Sequence, residues 1–241
     1  MLIERGADVS TQRKDGLTAL HLASRNGHMD AAWMLVERGA DVSAQNEDGS
    51  TPLHLASRND HVDLARMLVE NGADASAQNK DGSTALHLAS RNGHVDLARV
   101  LVERGVVSAQ NNDRWTALHL ASRHGHVDLA RVLVERGADV SAQNETGWTA
   151  LHLASRNGHV DLARMLVDRG ADISAQRKNG WTALHLASHS GHMDLARMLV
   201  ERGADVSART KNGWTASRLA SENGHAGLAR MLLECSTDMA P

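Results

Sequence analysis

Seven threonines recur along this chain at almost equal intervals: Thr18, Thr51, Thr84, Thr116, Thr149, Thr182 and Thr215. The text around each is nearly the same, as in residues 147–167, GWTALHLASRNGHVDLARMLV. Five of the six intervals are 33 residues and the third is 32. No other property restricts the fold as much. A segment this short cannot enclose a core of its own and must bury its apolar face against the next copy. Starting each repeat at its Asp-Gly position gives 15–47, 48–80, 81–112, 113–145, 146–178, 179–211 and a last repeat at 212–241. Residues 1–14, MLIERGADVSTQRK, match the second half of a repeat, so the array begins in mid-repeat and reads as part of a longer chain. No linker or shift in composition interrupts it. One repeat domain over 1–241 is expected.

Within a repeat the punctuation predicts two short helices. Thr149 suits a helix N-cap, and Leu151 and Ala154 then fall three apart on one face. In the second repeat Pro52 follows the cap, where its missing N–H costs nothing. Asn157-Gly158 ends the first helix, the glycine being free to turn left-handed. Asp161 opens the second against its dipole, and Leu162, Ala163, Leu166 and Val167 form an apolar stripe that Gly170 stops. Ala171 to Gln176 reads as extended chain leading into the turn at Asn179-Gly180. Helices of about eight residues do not persist alone in water. The fold class is therefore an all-α repeat solenoid.

The pattern Asp-Gly-x-Thr-Ala/Pro-Leu-His-Leu-Ala, then Gly-His-x-Asp, then Leu-Val-Glu-Arg-Gly-Ala-Asp-Val resembles the ankyrin repeat over essentially the whole chain. The resemblance implies a curved array of helix-turn-helix units with β-hairpin fingers and a concave groove between fingers and inner helices. It also implies a chain that binds other proteins and does not catalyse. Some positions depart from the pattern. The third repeat is one residue short at Gly105-Val106-Val107-Ser108, and Arg114 stands where other turns have glycine, which together predict a distorted finger. Asp60 replaces an inter-helix glycine, at a position Asp tolerates better than most residues. In the first repeat Ala31 stands for Leu and Trp33 for the outward Arg; in the seventh, Ser217 and Arg218 stand for Leu and His, as suits a capping repeat.

Charge and composition close off several functions. Lys and Arg total 26 against 29 Asp and Glu, a net −3, where a nucleic-acid binder is usually basic. No nucleic-acid partner is expected. No apolar run approaches the roughly 20 residues needed to cross a bilayer, and the N-terminus lacks the pattern of a secretory signal. A single cysteine, Cys235, in the C-terminal tail, favours a reducing, cytoplasmic setting. The 15 histidines fall mostly in two columns, His21, His54, His87, His119, His152, His185 and His28, His61, His94, His126, His159, His192, His225. One histidine per column per repeat makes ladders separated by a whole repeat. A metal needs three or four ligands converging at about 2 Å. Neither a metal, a cofactor nor a catalytic constellation is expected, and the histidines read as turn-bonding residues. The Arg column of the second helix (Arg66, Arg99, Arg131, Arg164, Arg197, Arg230) reads as a solvated back face.

One column differs. Between turn glycine and capping Thr stand Leu17, Ser50, Ser83, Trp115, Trp148, Trp181 and Trp214. The resemblance places this column on the fingers, facing the groove, beside two columns at the end of the first helix. Those read Arg25, Arg58, Arg91, Arg123, Arg156, His189, Glu222 and Asn26, Asn59, Asn92, His124, Asn157, Ser190, Asn223. Trp and Arg are the residues most enriched at interface hot spots. Trp115, Trp148, Trp181, Trp214, Arg123, Arg156, His189, His124, Ser190 and Glu222 are thus the candidate partner-binding residues. The alternative is that copied indoles pack on neighbouring fingers and serve stability. If the row binds, replacing Trp148 and Trp181 by Ala weakens partner binding at least about tenfold and spares the thermal midpoint; packing predicts the reverse.

The reading is a non-catalytic scaffold for a protein or peptide partner. A structural spacer within a larger protein, or an engineered array, stands as the alternative. A monomer is expected, with weak self-association open to the N-terminal end.

Overall fold

The structure is a computed structural model and describes residues 8–104 and 107–238. The one-residue deletion falls on Gly105 and Val106, and the partial repeat with Leu2 and Ile3 on residues 1–7; both lie outside the described residues. Fourteen helices form among the described residues, two per repeat. The inner helices are α1 (Ala19–Asn26), α3 (Pro52–Arg58), α5 (Ala85–Asn92), α7 (Ala117–His124), α9 (Ala150–Asn157), α11 (Ala183–His189) and α13 (Ala216–Glu222). The outer ones are α2 (Met29–Glu37), α4 (Val62–Glu70), α6 (Val95–Val102), α8 (Val127–Glu135), α10 (Val160–Asp168), α12 (Met193–Glu201) and α14 (Ala226–Asp238). None is long and apolar enough to cross a membrane.

The chain divides into two compact units: residues up to 112 with 135–137, and residues 113–134 with 138 onward. In the first, α3 packs between α1 and α5, and α4 between α2 and α6. In the second, α9 packs between α7 and α11, α11 meets α13, and α10 meets α12. Within each unit like helices stack on like, as the period requires. Ala150 through Ser155 are all buried, and on α10 Leu162, Ala163 and Leu166 are fully so. Met165 joins that stripe, whereas Val167 is only half-buried. Each buried leucine contributes about 1.5–3 kcal/mol, and no repeat can realise that without its neighbours.

The helix ends follow the sequence closely. Thr149 caps α9 through a reciprocal box: the His152 backbone N–H donates to its hydroxyl, and its own backbone N–H donates to His152 Nδ1 at 3.2 Å. Gly158 closes the helix in the left-handed region, φ 76°. Asp60 and Arg114 adopt the same conformation without glycine's freedom, φ 60° and 62°. The Asp60 carboxylate is partnered by His94 at 3.5 Å.

Two expectations change. The stretch after Gly170 is not extended: Asp172 Oδ1 accepts from the Ser174 N–H and hydroxyl at 2.8 and 2.6 Å, and Ala175 N–H closes the turn on Asp172 O. The Asp-x-Ser spelling repeated in nearly every copy encodes this turn. Nor do the fingers form β-ladders, since among the described residues no strand is present. In the fifth finger a single backbone bond, Asn144 N–H to Trp148 O at 3.0 Å, spans the tip, and Gly147 N–H returns to Asn144 O. The arms are too short for more. Neighbouring tips instead bond to each other, Lys178 N–H donating to Thr146 O and Lys211 N–H to Asn179 O.

Candidate functional site

The tryptophan column lies wholly in the second compact unit. Two local devices fix where each indole starts. At the finger tip, Asn144 Oδ1 accepts from the N–H groups of Thr146 and Trp148, both at 3.0 Å, so one side chain shapes the turn. Across repeats, buried histidines hold the tryptophan carbonyls: His119 Nε2–H donates to Trp148 O at 2.9 Å, His152 to Trp181 O at 3.1 Å and His185 to Trp214 O at 3.1 Å. Nδ1 of each ring already accepts from the capping threonine's N–H, which fixes the neutral tautomer with its proton on Nε2. Burial pushes these imidazoles below the usual histidine value, His152 to about 4, aided there by the Arg177 charge.

The indoles line up but are not equally available. Trp115, Trp181 and Trp214 are half-buried. Trp148 is 8 % exposed and forms an apolar cluster with Leu153 and Leu186, against which Trp115 and Trp181 pack. An open row of four indoles is therefore not what forms. Trp148 is a core residue of the fingers, covered because its neighbours in the row are equally large. That burial argues that its loss costs stability, against the expectation drawn from the column alone.

Guanidinium groups cover what the indoles leave open. Arg123 sits over Trp115 at 5.7 Å and Arg156 over Trp148 at 5.5 Å, as the column order predicts. His189 meets Trp181 edge-on at 5.4 Å. Two hollows follow. One, about 200 Å³, is lined by Trp115, Arg123, Trp148, Leu153, Arg156 and Asn157. The other, about 410 Å³ and mainly apolar, is lined by Trp181, His189, Thr210, Asn212, Trp214, Leu219, Glu222 and Asn223. Eight of the ten candidate residues are thus gathered around two hollows. His124, stacked beside His126 at 6.0 Å, and Ser190, the C-cap of α11, line neither.

A larger hollow of about 540 Å³ lies on the outer helices, walled by Arg131, Arg164 and Arg169 with Asp161 and Asp168. Its charges of both signs face water, whereas the smaller indole hollow sets guanidinium groups beside indoles and the larger is mainly apolar. The second histidine column also has structural employment: His159 and His192 Nε2–H donate to Arg123 O and Arg156 O at 3.3 and 3.1 Å, pinning the backbone under both arginines. Among the described residues no three His, Cys, Asp or Glu side chains converge as metal ligands would. Cys235 is half-buried with its thiol 3.9 Å from Met231 Sδ.

Two residues of the site escaped the column argument. Arg218 lies 4.4 Å over Trp214 and reaches Glu222 at 3.9 Å. Arg177 lies only 3.6 Å over Trp148. Both are departures from the copied text, Arg218 replacing the capping His and Arg177 a turn Asn. That departure was the available signal.

Comparison with known proteins comes from three directions. Family models described as ankyrin repeats (3 copies) match residues 1–79, 71–144 and 170–240, and one described as ankyrin repeats (many copies) matches 145–187. Among solved structures the chain is similar to the ankyrin repeat domain of Bcl-3, described as a unique member of the IkappaB protein family. The identity is 32%, the TM-score 0.79, and the match covers 92% of this chain and 100% of that one. No curated protein sequence matches it.

Proposed function

Because the chain belongs to the ankyrin-repeat family, we propose that it is a non-catalytic scaffold that binds a protein or peptide partner along the indole-bearing face of its second unit. Members of the family are generally protein-interaction modules. The observation that carries the proposal is the pair of hollows along the indole row, one where Trp115 and Trp148 meet the Arg123 and Arg156 guanidinium groups and one, mainly apolar, between half-buried Trp181 and Trp214. Trp181 and Trp214 are the anchors, with Trp115 beside them and Trp148 as the packed floor. Arg123, Arg156, His189 and Glu222 form the polar rim, and His124 and Ser190 its edge. The partner meets a single monomer in a reducing, cytoplasmic setting, a reading drawn from the lone cysteine.

Affinity capture with the purified chain, followed by direct titration of the captured protein, tests this. The double variant Trp181→Ala, Trp214→Ala is expected to lose at least about tenfold in affinity. The back-face variant Arg131→Ala, Arg164→Ala is expected to keep it. Equal loss in both variants, or in neither, ends the proposal. The burial of Trp148 supports a second reading, a structural segment in which the indoles only brace the fingers. Under it the double Trp variant melts early and captures nothing less.

A further inference from the structure

Arg177 occupies a column in which asparagine builds the turn of three other fingers. Asn46, Asn79 and Asn144 each accept two backbone N–H bonds there, as Asn46 does from Asp48 and Ser50 at 3.0 and 2.8 Å. Thr210 accepts one, from Trp214 N–H. A guanidinium has no acceptor. The sixth finger therefore gives up those bonds, and Trp181 N–H turns instead to Asn179 Oδ1 at a long 3.3 Å. The arginine in the same column of the first described finger, Arg13, pairs with Asp15 at 3.3 Å. Arg177 has no ion-pair partner among the described residues. Its side chain turns across Trp148, where Arg156 already lies, so two cations share one indole.

That arrangement is electrostatically incomplete. Arg177 Nε is buried with no hydrogen-bond partner, and a buried donor on a charged group left unpaired is costly. Stacking on the indole offsets part of that cost but leaves the Nε–H without an acceptor. Its own pKa is lowered, first by desolvation and then by the Arg156 charge. Arg123, which lines the 200 Å³ hollow together with Arg156, adds a third cation with no acidic partner among the described residues. What completes such a site is an anion with planar, paired acceptors.

We propose that Arg156 and Arg177, braced on Trp148, form a carboxylate receptor that selects a partner segment bearing an Asp or Glu next to an apolar residue. The carboxylate accepts from the guanidinium N–H groups while the apolar neighbour enters the hollow between Trp115 and Leu153. This rests on the binding face proposed above and specifies its ligand chemistry. A peptide carboxylate fits better than a nucleic-acid backbone, because the chain carries net −3 and a long polyanion is repelled outside the patch.

The test is fluorescence anisotropy with the intact chain and a labelled peptide, Gly-Leu-Asp-Glu-Leu-Gly, against its uncharged isostere Gly-Leu-Asn-Gln-Leu-Gly and a labelled oligothymidylate. The acidic peptide is expected to bind, and the isostere at least about tenfold more weakly. Arg156→Gln and Arg177→Asn are each expected to lose at least about tenfold, and Arg164→Gln on the back face nothing. Arg177→Asn is the informative variant: it restores the residue that builds the other turns, so its melting midpoint is expected to hold or rise while binding falls. No binding of the acidic peptide at millimolar concentration, equal binding of the isostere, or unchanged affinity in Arg177→Asn overturns the receptor. Tighter binding of oligothymidylate, lost in the same two variants, replaces it with a phosphate-backbone site. If it falls while Trp181→Ala, Trp214→Ala still releases a captured protein, only the charge specificity fails and the binding face stands.

Discussion

At Trp148 the text of the repeat and the packing of the fingers make different demands. The column places an indole there; the indoles on either side and Leu153 and Leu186 then remove it from water. Trp148→Ala is expected to cost about 3–5 kcal/mol, the range for truncating a large buried aromatic, whereas Trp214→Ala costs well under half of that. Urea unfolding of both variants checks this, and equal losses would mean that Trp148 is not the packed member. A second residue-scale effect runs the other way. Ser24, Ser57, Ser90, Ser122, Ser155 and Ser188 are fully buried in the inner helices, with hydroxyls that have no hydrogen-bond partner. Ser155→Ala removes an unsatisfied donor and improves helix propensity, so a gain of about 0.5–1 kcal/mol is expected. A loss on calorimetry would show that the hydroxyl is satisfied after all. The repeat places these serines in one recurring column; their isolation depends on which oxygens the neighbouring repeat brings near.

On the scale of the element, the glycines that end the helices do two different jobs that the sequence writes identically. Gly158 and Gly170 both have positive φ, 76° and 90°. A Cβ on Gly158 would lie 2.7 Å from the His192 ring, while one on Gly170 would meet open space. Gly170→Ala therefore costs only the left-handed backbone, about 1–2 kcal/mol. Gly158→Ala adds a clash that pushes the imidazole off Arg156 O, and thermal melts are expected to rank it clearly the more damaging. Caps, stops and the apolar stripe were all readable from residue type. The fingers were readable only in part: their turns are spelled by Asn and Gly, but the absence of a ladder follows from arm length in three dimensions.

For the whole molecule the buried histidines set the response to acid. His21, His54, His119, His152 and His185 all have folded-state pKa values lowered by burial. Between the unfolded value of about 6.5 and the lowered values, the unfolded chain binds protons that the folded chain refuses. Stability is therefore full above about pH 6.5 and is lost as pH falls, down to about 4, where His152 itself takes a proton. Each histidine adds at most about 1.4 kcal/mol per pH unit between about 6.5 and its own lowered value. Urea midpoints at pH 7 and pH 5 are expected to differ steeply, and a flat profile would contradict the neutral tautomers assigned to this ladder.

What the sequence determined by itself is everything that depends on period and residue type. A repeat too small to bury its own stripe must stack, threonine and glycine mark its helix ends, and a copied position must return in the same place. Tertiary structure alone decided accessibility and company. Which indole is walled in, and which arginine abandons its turn to lie on a tryptophan, depends on atoms one repeat away in space and about thirty residues away in sequence. A one-dimensional pattern fixes where a side chain begins; only its packed neighbours fix how much water and which charges it meets.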